Sequence, residues 1–219
     1  MRKTLLFDLD GTLLNTLEDL RDSTNFALRT YGYPERSLEE VRRFVGNGLK
    51  MLLTRAVPQS SSEAEIERAL ACMKAHYCKN YHNKTVPYPG IPELLQRLQQ
   101  AGFRMAIVSN KADPAVQLIR TLYFDGIIDV AVGESSACAK KPAPDMVLAA
   151  LQRLGSTADD AIYLGDSEVD LQTARNSGLP CATVGWGFRT EAELRAAGVQ
   201  TIYHSPEALG KALLNGSIQ

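Results

Sequence analysis

Thr4-Leu5-Leu6-Phe7-Asp8-Leu9-Asp10-Gly11-Thr12-Leu13-Leu14 decides how the rest of this 219-residue chain is read. An apolar run suited to a buried strand ends abruptly in two acids and a glycine. Residues i and i+2 of an extended backbone face the same side, so Asp8 and Asp10 project together from the strand's C-terminal end. Two carboxylates that close repel. One must bind a cation or keep its proton, and either choice separates their roles. Gly11 permits a sharp turn with an approachable N–H, and Thr12 is expected to hold that turn by hydrogen-bonding locally. A calcium loop is excluded, because counting from Asp8 puts Leu13 and Asp19 where glycine and glutamate are needed.

Composition narrows the chemistry. Lys and Arg total 24 against 25 Asp and Glu, with no long basic run, so neither nucleic acid nor an anionic membrane is an expected partner. The apolar run after Met1-Arg2-Lys3 stops at Asp8, too short for a signal peptide, and no stretch reaches membrane-spanning length. A cytoplasmic protein, monomer or homodimer, acting on small molecules is expected. Four cysteines without C-x-x-C spacing read as reduced thiols. At about 100° per residue of helix, Cys72 with His76 and Cys78 with His82 fall on different faces, which disfavours one tetrahedral metal site.

Beyond the opening strand, Thr16 to His82 reads as helical throughout. Ser37 with Glu40, and Ser62 with Glu65, are capping boxes that open two of its helices. From Lys84 onward strand and helix alternate. Apolar runs at Phe103–Val108, Ile127–Gly133, Ala161–Leu164, Cys181–Val184 and Thr201–Tyr203 are separated by helical segments, which implies a mainly parallel sheet covered on both faces. Residues 1–15 and 83–219 would form an α/β core, and residues 16–82 a small all-helical domain inserted after the first strand. Ligands of such a sheet bind beyond the carboxyl ends of its strands. Asp8 and Asp10, Ser109 and Asn110, and Asp166 all fall at such ends.

Carboxylates gathered around a point suit a hard cation such as Mg²⁺, completed by waters and a substrate phosphate. Ser109, nearby N–H groups and Lys141 suit phosphate oxygens, with Lys141 preferred over Lys140 because Pro142 fixes the chain beside it. The set fits phosphoryl transfer. Ionised Asp8 would attack phosphorus to form an aspartyl-phosphate, and Asp10 would protonate the leaving alcohol and then activate water. Asp170 also suits the first turn of a helix capped by Ser167, so the dipole alone gives it a purpose.

These residues resemble the four motifs of the haloacid dehalogenase superfamily, in order and with similar spacing over nearly the whole chain. The motifs are Asp8-Leu9-Asp10-Gly11-Thr12-Leu13, then Ser109, then Lys141, then Gly165-Asp166-Ser167 with Asp170. The resemblance implies a Rossmann-like parallel-sheet core with an inserted helical cap. It also implies Mg²⁺ held by Asp8, the Asp10 backbone carbonyl and Asp166, with Asp170 in support. Gly11, Ser109, Lys141 and the Asn110 N–H would bind phosphate. Val45-Gly46-Asn47-Gly48-Leu49 is similar to the cap loop of phosphoglycolate phosphatases, as are Tyr88-Pro89-Gly90 and Trp186-Gly187-Phe188-Arg189. Gly46, Asn47, Gly48 and Arg43 would then read the substrate, a small phosphorylated metabolite; Arg43 and Lys50 flank the loop, placed to meet a carboxylate or simply solvated. Asn15 departs from the aspartate usual there. Two alternatives stand: a phosphomutase of the beta-phosphoglucomutase type, which would use the same core, and a non-enzymatic phospho-acceptor signalling module similar to a response-regulator receiver, against which the inserted cap and the placing of Asp10 argue.

Overall fold

In the computed structural model, which describes residues 2–218, Thr4–Phe7 forms strand β1, buried along its length. Two short strands, β2 (Leu14–Asn15) and β3 (Val86–Pro87), pair with each other and bracket a unit comprising Asn15–Val86. That unit contains four helices: α1 (Leu17–Thr30), α2 (Leu38–Phe44), α3 (Gly48–Ala56) and α4 (Glu63–Asn80). The capping boxes of α2 and α4 are both formed, each serine accepting the N3 amide while the N3 glutamate takes the serine N–H. Ile66, Ala69, Leu70, Met73 and Tyr77 form the buried stripe of α4. Asp19, buried in the first turn of α1, accepts the Lys84 N–H at 3.0 Å, the Thr85 N–H at 2.9 Å and the Thr85 hydroxyl at 2.8 Å. Three donors offset the cost of burying that carboxylate, and they tie the returning chain to α1.

The other unit lies within Met1–Leu14 and Pro87–Gln219. After α5 (Ile91–Gln100) come β4 (Arg104–Ala112), α6 (Asp113–Phe124), β5 (Val130–Glu134), α7 (Asp145–Leu154), β6 (Ala161–Gly165) and α8 (Glu168–Asn176). Then follow β7 (Cys181–Val184), α9 (Glu191–Ala196), β8 (Ile202–Tyr203) and α10 (Pro206–Leu214). The six strands are all parallel, in the order β5-β4-β1-β6-β7-β8. Strands flanked on both sides and covered on both faces need continuous apolar runs, which β1, β4 and β6 supply. Leu6, Ala106, Val108 and Tyr163 pack with Met146, Val147 and Ala150 of α7 in one such layer.

The chain winds outward from β1 through β4 to β5, then crosses back to β6 and winds the other way. The reversal falls between the neighbours β1 and β6. In open α/β sheets ligands bind at such a switch point, beyond the strands' carboxyl ends. β4 runs further than the apolar pattern predicts, to Ala112, through a register shift between Ser109 and Ala112. Pairing survives because Lys111 N–H donates to Ser109 Oγ at 3.2 Å and Gly133 N–H to Asp113 Oδ1 at 2.8 Å, satisfying amides around the bulge. No helix among the described residues is long and apolar enough to cross a membrane.

Candidate active site

Asp8 immediately follows β1 and Asp166 follows β6, so adjacent parallel strands deliver one carboxylate each to the switch point. Asp170 joins them from the first turn of α8, where it closes a capping box with Ser167. Carboxylate oxygens of Asp8, Asp166 and Asp170 lie within 4.8 Å of one another, and all three residues are buried. Lys141 sits among them, its Nζ 2.7 Å from Asp8 Oδ1 and 2.8 Å from Asp170 Oδ1. The Tyr163 hydroxyl is 3.1 Å from the same Nζ and 3.2 Å from Asp170 Oδ1. Lys140 is exposed. The Lys141 backbone is anchored by Asn110, whose Oδ1 accepts its N–H at 2.6 Å while Nδ2 donates to its carbonyl at 3.1 Å.

One ammonium does not balance three buried carboxylates. Burial first, then the charge on Asp170, pushes Asp8 well above the ordinary carboxylate range, with Lys141 opposing. Burial and Asp170 likewise raise Asp166 to about 7, against the pull of the Phe188 N–H, Arg189 and Thr12. Burial lowers the pKa of Lys141, yet Asp170 and then Asp8 outweigh it and keep the ammonium charged. An all-oxygen cluster carrying excess negative charge fits a hard divalent cation.

Asp10 stands outside that cluster, with Oδ1 3.3 Å from Lys111 Nζ. Ser109 is buried at the β4 bulge. Gly11, at φ 93°, lies against Asp166: a Cβ there would meet Oδ2 at 2.5 Å. Thr12 corrects an expectation. Its hydroxyl leaves the local turn and donates to Asp166 Oδ1 at 3.1 Å, because the turn's amides already pair with the carbonyls of Leu9 and Leu14. Asp166 Oδ2 accepts the Phe188 N–H at 2.7 Å, and the Trp186 indole donates to the Thr12 carbonyl at 3.0 Å. The loop after β7 thereby grips the turn after β1.

Gly46, Asn47, Gly48 and Arg43 belong to the helical unit. Gly46 and Gly48 take positive φ of 127° and 84°. Asn47 Oδ1 accepts from Arg55 at 2.9 Å, and Arg43 pairs with Glu39 at 3.3 Å. Lys50 is taken by Glu63 and Glu67 at 2.7 and 2.6 Å. His76 bonds Ser23 through Nδ1 at 3.0 Å and stacks on Phe26.

The family model for haloacid dehalogenase-like hydrolases matches residues 5–184. The chain belongs to that family. The hydrolase is 32% identical to a phosphoglycolate phosphatase of Aquifex aeolicus, over 85% of this chain and 86% of that one. It is 34% identical to a phosphoglycolate phosphatase of Mesorhizobium japonicum, over 85% and 84%. A crystal structure of a proposed phosphoglycolate phosphatase from Lactobacillus delbrueckii subsp. bulgaricus superposes with TM-score 0.93 at 35% identity, covering 97% of this chain and 99% of that one. CbbY from Rhodobacter sphaeroides, solved in complex with phosphate, gives TM-score 0.72 at 28% identity, covering 96% and 97%. Family and relatives together make the hydrolase a phosphatase.

Sequence reasoning passed over several groups that this phosphatase gathers at the site. Tyr163 stands inside an apolar strand run and reads as core. Lys111 follows the Ser109–Asn110 pair, but nothing in the sequence brings it to Asp10. Trp186 to Phe188 drew notice by resemblance alone, since no local pattern links residues after β7 to Asp166.

Proposed function

We propose that this hydrolase is a Mg²⁺-dependent phosphatase of a small phosphate monoester, phosphoglycolate, working through an aspartyl-phosphate in the cytoplasm. The observation that carries the reading is Asp8, held by Lys141, beside Asp166 and Asp170 at the switch point between β1 and β6. Asp8, Asp166 and the Asp10 carbonyl would hold the metal, Asp170 would support them, and the bound ion offsets negative charge on the phosphoryl group.

Asp8 attacks phosphorus in line, and the bond to the ester oxygen breaks as the new oxygen–phosphorus bond forms. The leaving alkoxide takes its proton from Asp10. Water then attacks the same phosphorus, losing its proton to Asp10, and inorganic phosphate leaves Asp8. Lys141, kept charged by Asp170 and Asp8 against its burial, faces charge developing on the phosphoryl oxygens, with the Ser109 hydroxyl and the Asn110 amide as further donors; the Gly11 amide, expected to be approachable, is instead given to the Leu14 carbonyl at 2.9 Å. Burial excludes bulk water from the lysine and its two carboxylates. Residues 16–82 would act as the cap, with Gly46, Asn47, Gly48 and Arg43 reading the substrate, the two glycines allowing close backbone approach to an anion.

Initial rates on phosphoglycolate, sugar phosphates, nucleoside monophosphates and pyrophosphate, with Mg²⁺ or chelator, test this. A kcat/KM preference for phosphoglycolate that chelation abolishes is expected. Broad weak hydrolysis would remove the substrate assignment, return of phosphate to sugar would favour a mutase, and absence of turnover would favour a signalling module.

A further inference from the structure

Lys141 is fixed at both ends. Its backbone is clasped by Asn110, and its ammonium meets Asp8 Oδ1 at 2.7 Å, Asp170 Oδ1 at 2.8 Å and the Tyr163 hydroxyl at 3.1 Å. A lysine ammonium has three N–H donors, so these partners leave none to spare for a phosphoryl oxygen. To serve the reaction it must release one partner and still keep its place.

Asp8 is the partner it releases. Once Asp8 has given an oxygen to phosphorus its carboxylate no longer carries a charge, and the ammonium turns one N–H to the phosphoryl group. Two holds remain. Asp170 is itself fixed, because Oδ2 takes the Ser167 N–H at 3.1 Å and the Ser167 hydroxyl at 2.6 Å while Oδ1 serves Lys141 and Tyr163. Tyr163 is fully buried, its ring in the apolar layer with Leu6, Val108 and Met146. A phenol buried there needs only one partner. This one stands between a carboxylate and an ammonium: it donates to Asp170 Oδ1 at 3.2 Å, which turns its lone pairs towards Lys141.

We propose that Tyr163 is a positioning residue for phosphoryl transfer, its hydroxyl holding the Lys141 ammonium in place when Asp8 becomes phosphorylated. This rests on the phosphatase reading above and deepens it with a residue that reaches the reaction only through Lys141. Phenylalanine would fill the same apolar layer but leave the ammonium with Asp170 as its remaining hold. A hydrogen bond to a charged group is worth a factor of about ten or more. Lys141 acts on charge that develops in the transition state, so the loss falls on kcat and not on KM.

The test is Tyr163→Phe in the full chain, with initial rates on the fastest ester of the panel above across substrate and Mg²⁺ concentrations, beside a thermal melt. The expected result is kcat lowered about tenfold, KM and the half-saturating Mg²⁺ concentration within about twofold of wild type, and a cooperative melt. In a Lys141→Met background the same substitution should change kcat by less than about twofold, because no ammonium is left to position. Wild-type kcat in Tyr163→Phe, with or without a lower melting temperature, would reduce the tyrosine to a core residue whose hydroxyl is merely satisfied. A loss seen only as a higher Mg²⁺ requirement would tie the hydroxyl to Asp170 and the metal, and an undiminished loss in Lys141→Met would separate it from the lysine. Each of these overturns the proposal while leaving the phosphatase intact. Turnover of no phosphate ester by wild type would overturn the phosphatase reading, and this assignment with it.

Discussion

Gly187→Ala isolates the contribution of the loop after β7 to the acidic cluster. An alanine Cβ at this position would stand 2.3 Å from both Cβ and Oδ2 of Asp166 and 2.5 Å from its Cγ. Ordinary contacts begin near 3.4 Å, so the carboxylate or the loop must yield by about 1 Å. The crowded atom Oδ2 also accepts the Phe188 N–H, so the shift breaks the hydrogen bond that aims Asp166. Overpacking of this kind costs about 1–3 kcal/mol of stability, and a displacement of about 1 Å in a reacting constellation costs about a hundredfold in rate. The expected result is a raised half-saturating Mg²⁺ concentration, kcat lowered by about two orders of magnitude, and a melting temperature reduced by several degrees. Gly210→Ala is the control. Gly210 lies in α10, where alanine is the better helix former, and its Cβ would meet only the flexible end of Leu94 of α5, at 2.8 Å. Mg²⁺ titration of initial rates, paired with thermal melts, reads both variants. Near-wild-type kcat and metal dependence in Gly187→Ala would refute the claim that this loop sets Asp166.

Asp8→Asn should abolish turnover with the melting transition still cooperative; substantial residual activity would remove the nucleophile assignment. Lys141→Ala should cost on the order of a hundredfold or more in kcat, whereas exposed Lys140→Ala should change little, and the reverse order would show the wrong lysine was chosen. The acidic cluster also predicts a pH dependence. Asp166, raised from 3.8 to about 7 by burial and Asp170, favours the folded state fully below its unfolded pKa, and that contribution is lost as pH rises through about 7. Chelated protein should therefore melt lower at pH 8 than at pH 5, with Mg²⁺ or Asp166→Asn reducing the difference. A flat chelated profile would contradict it.

What was legible in the sequence was local. Ser37 with Glu40 and Ser62 with Glu65 specify their helix starts within four residues, and both boxes form as the spacing requires. The apolar runs that become β1, β4, β6 and β7 were legible because strands covered on both faces tolerate few polar residues. Acids that end such runs stand out, which is why Asp8 and Asp166 could be placed at strand ends. Strand order was not legible, since alternation of strand and helix fixes direction but not neighbours. Thr12 shows the same limit: its partner Asp166 is 154 residues away, and nothing near Thr12 announces it. The extension of β4 depends on side chains satisfying a bulge, a matter of three-dimensional pairing rather than hydropathy.

The position of β1 has a consequence for synthesis. β1 becomes an inner strand, and the partners that flank it, Arg104–Ala112 and Ala161–Gly165, are translated well after it. Until then the nascent chain carries an apolar ribbon with two unpaired edges, the kind of surface that chaperones shield and that aggregates when they do not. Asp8 meets Asp166 only after β6 has emerged, so a ribosome stalled before that point holds a polypeptide without this cluster. A fragment that stops short of β6 lacks Asp166 and Asp170, two of the three carboxylates of the cluster.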